Sequence, residues 1–298
     1  MSDLTGVHSI YSLTERERYG MGSYTQLYLF EFLALSLSSH LWRKNNGPIK
    51  LVCDDNFYEF VKDNQLFWMW DEIDNTTLKK LPQDIDYKMF WTYPKMFIQA
   101  QQKERFAIID ADAYTVLDLK DLKEDIIYGH EEKDIWQVTY PNLYEIPQIG
   151  ELFKGLNPTL EHNAINTCLV VYNNLDIIKE VIEITNRFIK SPHLDFNHPN
   201  SSWMYTIYCE QKVLGNIVKD KGYTYRSLTP YPYNCDASNA PYDILPQSGI
   251  QHLWVNKQRL KNDYDTRLIF TRDFIRYIEE EYNLLFVQLY PYLNKFKV

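Results

Sequence analysis

Short apolar runs with strand character alternate with longer stretches of helical spacing, and this alternation narrows the fold more than any other feature of the chain. Val7 to Tyr11 is a β-prone run; after the polar segment from Ser12 to Gly22, a helical pattern extends from Tyr24 to Trp42. Ile49 to Cys53 is a second apolar run ending in Asp54-Asp55, and a helical pattern follows from Asn56 to Asn64. The order strand, helix, strand, helix predicts an α/β fold with a mainly parallel sheet and helices on its faces. Tyr93 to Lys103 adds a helix and leads into Phe106-Ala-Ile-Ile109, whose unbroken apolar character predicts a strand buried on both faces. Ile126 to Gly129, Asn166 to Tyr172, Tyr223 to Arg226 and Ile250 to Trp254 are further β-prone runs, separated by helices from Leu175 to Lys190 and Trp203 to Lys219. Helical spacing returns after Asn262 and runs to Tyr290, where Pro291 ends it, which predicts a helical C-terminal cap.

Composition bounds what such a fold can do. The chain has 298 residues, 45% of them hydrophobic, with 24 Tyr, 15 Phe and 7 Trp, enough to bury a large core. Its formal net charge of -9 argues against a nucleic-acid partner, because phosphate backbones are held by arrays of Lys and Arg. A phosphate ester remains a possible ligand if a metal helps to hold it. Cys53, Cys168, Cys209 and Cys235 show no Cys-x-x-Cys spacing, so a reducing cytoplasm is the expected location, with room for a peripheral association with the membrane. The N-terminal residues lack a basic stretch followed by an apolar run, so no secretory signal is expected. The most apolar stretch, Leu27 to Leu37, is too short for a membrane span and contains Glu31; a buried helix is expected there.

The pattern Asp-x-Asp occurs at Asp84-Ile-Asp86, Asp110-Ala-Asp112 and Asp263-Tyr-Asp265. Only the middle pair directly follows an apolar strand, and ligands of open α/β sheets bind beyond the carboxyl ends of strands. Residues two apart on an extended chain point the same way, so both carboxylates are expected to approach one hard cation that also holds a diphosphate. The alternative is a solvated turn, which is the expectation for the other two pairs.

In this order, four blocks resemble the GT-A glycosyltransferases related to glycogenin and the bacterial lipopolysaccharide galactosyl- and glucosyltransferases. Lys95 on a helix, then Phe106-Ala-Ile-Ile-Asp-Ala-Asp112 and Val116-Leu-Asp-Leu119, look like that group's lysine, D-A-D and apolar tail. Asn166-Thr-Cys-Leu-Val-Val-Tyr172 resembles its F-N-S-G-V strand, Glu210-Gln-Lys-Val-Leu-Gly-Asn216 its D-Q-x-x-L-N helix, and Gln251-His-Leu-Trp-Val-Asn-Lys257 its H-F-x-G-x-x-K-P-W end. Glu210 stands where the group has Asp, Thr167 and Cys168 replace Ser/Ala and Gly, Lys257 lies one residue nearer the histidine, and the Pro-Trp is missing.

The resemblance implies a GT-A, Rossmann-like catalytic domain over residues 1–260 with residues 261–298 as a helical extension packed on it. It implies a nucleotide-sugar donor, UDP-linked by analogy, a glycan or other hydroxyl acceptor, and Mn²⁺ or Mg²⁺ held by Asp110, Asp112 and His252. A metal placed there stabilises charge growing on the departing diphosphate. Lys257 and Lys95 are the expected donor or carboxylate contacts, and Tyr11 and Ser12, closing the first strand, the expected nucleoside contacts. Asn166 is expected near the sugar, and Glu210 with Gln211 near the reacting centre. If the anomeric configuration inverts, Glu210 is the candidate base; if it is retained, as in the resembled families, the leaving phosphate can take the proton. Retention is the expectation.

Each residue also has a structural reading: a core histidine, a core tyrosine, surface lysines, a turn asparagine, a solvated helix face. Two rival functions follow. A nucleotidyltransferase would open with a glycine-rich basic loop, where this chain has Glu15-Arg-Glu-Arg18. A non-catalytic binding protein or inactive paralogue on the same fold would bind without turnover, and the departures from the family pattern leave it open.

Overall fold

The computed structural model describes residues 3–12, 27–132, 162–190, 205–229 and 244–298. The polar segment carrying Glu15 to Arg18, the first residues of the helical patterns beginning at Tyr24 and Trp203, and Cys235 lie outside them. In chain order the elements are β1 (Thr5–Ile10), α1 (Leu29–Asn45), β2 (Ile49–Cys53), α2 (Asp55–Asp63), β3 (Glu72–Asp74), α3 (Tyr93–Ala100), β4 (Phe106–Ile109) and β5 (Ala113–Thr115). β6 (Ile126–Tyr128), β7 (Glu131–Glu132), β8 (Ala164–Ile165), β9 (Leu169–Tyr172) and α4 (Asp176–Ile189) follow. A π-helical turn, Tyr208–Lys212, runs into α5 (Val213–Asp220), and the chain ends with β10 (Tyr225–Ser227), β11 (Ile250–His252), α6 (Trp254–Asn262), α7 (Tyr264–Glu281) and α8 (Asn283–Leu289).

Seven strands form one sheet in the order β10-β6-β9-β4-β1-β2-β3. β1 pairs in parallel with both β2 and β4, β2 with β3, and β6 with β10; β9 is inserted antiparallel between β4 and β6. The fold is therefore α/β with a mainly parallel sheet, flanking helices and a helical C-terminal stretch. β4 is buried along its whole length because alternate residues face two apolar layers. Ala107 and Ile109 join a cluster with Phe32, Leu33, Phe270 and Phe274, while Phe106 and Ile108 join another with Met96, Ile177, Val181 and Leu214. The C-terminal segment completes the first layer: Phe296 stacks on Phe32 at 4.3 Å, and Leu29 N–H donates to the Lys297 carbonyl at 2.7 Å. Gly6 lets Trp42 lie against β1, since a Cβ there would sit 2.5 Å from the indole nitrogen.

Three expected elements differ in detail. Asn166-Thr-Cys is a turn between β8 and β9 rather than strand, because the Asn166 side chain accepts from the Cys168 N–H at 2.9 Å, the local bond asparagine favours. The strand beginning at Ile250 stops at His252, and Trp254 opens α6. The helix expected to Lys219 is interrupted by the π turn.

One buried polar cluster sits inside the first layer. Trp70 Nε1 donates to His8 Nδ1 at 3.0 Å; an indole can only donate, so His8 is neutral and its Nε2 donates to Ser38 Oγ at 3.0 Å. Burial pushes the His8 imidazole from 6.5 down to about 3. The unfolded chain thus takes up a proton that the folded chain refuses, so this contribution to stability is complete above pH 6.5 and is lost as pH falls toward 3. NMR titration of the His8 ring should show no protonation down to about pH 5, where a solvated imidazole is fully charged. A midpoint near 6.5 would remove the proposed hydrogen-bond assignment.

Candidate active site

The carboxyl end of β4 delivers the acidic pair. Asp110 follows the strand directly, its N–H held by the Cys168 carbonyl at 2.8 Å. The pair is not extended: Ala113 N–H donates to the Asp110 carbonyl at 3.0 Å, making Asp110-Ala-Asp112 a tight turn. The side chains converge because β5 then pairs with β11, with Ala113 opposite His252, and the Leu253 N–H donates to the Asp112 carbonyl at 3.0 Å. A histidine from late in the chain is thereby returned to carboxylates placed much earlier.

The charges around this turn are arranged by atom. Asp110 gives Oδ1 to Lys95 Nζ at 2.6 Å and turns Oδ2 to His252 Nε2 at 4.0 Å. Asp112 gives Oδ2 to Lys257 Nζ at 3.4 Å and turns Oδ1 to His252 Nε2 at 3.7 Å. One oxygen of each carboxylate is steadied by a lysine and the other faces the imidazole. One ligand atom from each of Asp110, Asp112 and His252 lies within 4.8 Å of the other two. Metal–oxygen bonds of about 2.1 Å fit between atoms so spaced, and two carboxylates with one imidazole are a donor set for a divalent cation. Burial disfavours the Asp112 anion, but Lys257 and His252 outweigh it and hold its pKa at about 2.

Behind the turn, Lys95 also reaches Glu210 at 3.0 Å and the Thr167 carbonyl at 2.8 Å, and Thr167 Oγ1 donates to Glu210 at 2.7 Å. Burial opposes the Lys95 charge, yet Asp110 and Glu210 outweigh it and raise its pKa well above the ordinary value. Burial raises the Glu210 pKa, with Lys95 partly offsetting the rise. Glu210 owes its place to the π turn, a helical irregularity that recurs at functional sites. Gln211, its neighbour in that turn, is half-buried.

Other sequence candidates have different neighbours. Asn166 donates to buried Glu132, beside which His130 lies at 3.9 Å; burial, then the charge of His252, pushes the His130 imidazole down to about 3. Ser12 commits its amide and hydroxyl to Asp54, at 2.7 and 2.6 Å, and Asp54 also caps α2 through the Phe57 N–H. The hydroxyl expected at the nucleoside is thus engaged in holding the end of β1 to the start of α2. Tyr11 is half-buried and meets Tyr87 edge to face at 5.8 Å. The two remaining Asp-x-Asp pairs have structural work: Asp86 accepts from the Lys88 N–H, and Asp263 caps α7 through the Thr266 N–H. Sequence reasoning passed over Thr167, Glu132 and the Glu31–Lys257 contact at 3.6 Å. A signal existed for the last, since Glu31 is the one charge in the run from Leu27 to Leu37.

Among the described residues, no helix is long and apolar enough to cross a membrane. No curated protein sequence matches the chain. Among solved structures it is similar to mouse xyloside xylosyltransferase 1 in its apo form, at 10% identity over 76% of this chain and 85% of that one, with a TM-score of 0.42. It is also similar to the glycosyltransferase GlyE of Streptococcus pneumoniae TIGR4, at 14% identity over 98% of this chain and 64% of that one, TM-score 0.45. A third is the galactosyltransferase LgtC in complex with donor and acceptor sugar analogues, at 7% identity over 84% and 86%, TM-score 0.37. The model of the Family of unknown function (DUF6734) matches residues 6–272, and the chain belongs to that family.

Proposed function

We propose that this chain is a metal-dependent glycosyltransferase that moves a sugar from a nucleotide-diphospho-sugar, with UDP as the nucleotide, to a hydroxyl acceptor with retention of configuration. The observation that carries the reading is the convergence of Asp110, Asp112 and His252, from well-separated parts of the chain, beyond the carboxyl end of β4. Residues 1–260 form the catalytic domain in this reading, and 261–298 are the extension packed on it. The acidic net charge and free buried cysteines suit a cytoplasmic enzyme.

Mn²⁺ or Mg²⁺ held by Asp110, Asp112 and His252 would supply Lewis-acid stabilisation of the diphosphate as it leaves. The protein's own groups do the rest. Lys95 fixes the rotamer of Asp110 from behind, leaving its second oxygen directed at the site. Lys257 carries a mobile ammonium beside Asp112, where it meets negative charge on a departing phosphate. Asn166 closes the turn that sets the Cys168 carbonyl under Asp110. Glu210 is salt-bridged by Lys95 and bonded by Thr167, an arrangement that favours positioning over proton abstraction. Retention, with the leaving phosphate taking the acceptor proton, needs no further base.

Calorimetric titration with UDP should give heat in the presence of Mn²⁺ and little without it. A donor-hydrolysis screen across nucleotide sugars with and without Mn²⁺ then identifies the sugar, and NMR of the first-formed product reads its anomer. UDP binding that ignores the metal would sink the metal assignment; metal-dependent binding with no turnover of any donor would favour a binding protein on this fold.

A further inference from the structure

Glu31 is buried, 9% exposed, in the first turn of α1, where it is the one charge in the stretch from Leu27 to Leu37, and its two oxygens face different partners. Oε2 accepts the Tyr28 N–H at 3.1 Å, closing the first turn of α1. Oε1 takes Lys261 Nζ at 3.0 Å and Lys257 Nζ at 3.6 Å, two ammonium groups one turn apart on α6. Lys257 is therefore shared between Glu31 and Asp112. The cap alone does not require a charge, because glutamine closes a helix in the same way. What requires the charge is the pair of lysines. In the absence of ligand the carboxylate offsets part of their charge; once a diphosphate lies beside Asp112, the same carboxylate is a like charge contending for the same cation.

We propose that Glu31 is a positioning residue that competes with the donor diphosphate for Lys257, so that binding a diphosphate draws Lys257 away from Glu31 and losing the diphosphate restores the pair. The proposal rests on the donor-site reading above. It makes Glu31 a limit on diphosphate affinity, which favours departure of the nucleoside diphosphate after transfer.

The test is calorimetric titration of the full chain with UDP and with uridine, in Mn²⁺, for the wild type, Glu31→Gln, Lys257→Ala and the double variant. Glu31→Gln retains the cap and should bind UDP roughly fivefold more tightly, the lower end of ordinary coupling between sites. Its uridine affinity should not change, and the gain should vanish when Lys257 is Ala. Glu31→Asp keeps the charge but withdraws it from Lys257, and should also tighten UDP. Unchanged or weaker UDP binding in Glu31→Gln overturns the proposal, as does an equal gain with and without Lys257, which a through-space charge effect would give. Wild-type protein showing no Mn²⁺-dependent UDP binding overturns the donor-site reading itself, and the role of Glu31 with it.

Discussion

Asp112→Asn abolishes Mn²⁺-dependent UDP binding, with affinity falling at least ~100-fold, while the protein still unfolds cooperatively. The size follows from geometry: Asp112 is the residue that meets both His252 and Lys257, so the substitution removes a metal ligand and the anion that steadies the phosphate lysine. Asp110→Asn should behave similarly, with an added effect on Lys95. Asp84→Asn and Asp263→Asn are the controls and should leave binding within twofold or so of wild type, since surface substitutions away from a site do little. Asn caps a helix as well as Asp, so Asp263→Asn should also keep α7 intact. Isothermal titration across the four variants decides the matter, and an Asp84→Asn effect as large as that of Asp112→Asn would reject the choice of the middle pair.

The second large effect is on stability. Lys95→Met should destabilise the fold by about 3–5 kcal/mol, the usual result of removing one partner from a buried ion pair. The reason lies in Glu210, which is 5% exposed and would lose its cation while keeping its burial. Glu210→Gln added to Lys95→Met should recover much of the loss, because the remaining amide carries no charge and can still accept from Thr167. Urea unfolding of the single and double variants measures this coupling directly. Additive losses would mean that Lys95 stabilises the protein through some other contact.

The layers of the fold were legible wherever burial is continuous. Phe106 to Ile109 and Leu169 to Tyr172 read as strands because both faces are covered, and the same uniformity hid the direction of β9. An unbroken apolar run says that a strand is central but carries no mark of whether its neighbour runs with or against it. Lys95, Asp110, Asp112, Glu210, His252 and Lys257, singled out in the sequence by their order, occupy one connected group of charges in the structure. The geometry that joins them was not legible. Asp110-Ala-Asp112 turns because of bonds made by Ala113 and Leu253, and the latter directly follows a strand far along the chain. Ser12 looked free for a ligand because nothing local reveals that Asp54 occupies its hydroxyl. Asn166 read as the start of a strand because its preference for closing a turn competes with the apolar run behind it.

The π turn from Tyr208 to Lys212 amounts to a single extra residue lodged in a helix. A turn of this kind absorbs the extra residue by widening locally, so excising one position there would restore α-helical winding and leave the residues downstream facing as they do now. Val213, Leu214, Ile217 and Val218 would keep their place in the core. What a shortened chain would lose is the placement of its carboxylate at 210. The extra residue thus serves the charged group around Lys95 rather than the packing beyond 212.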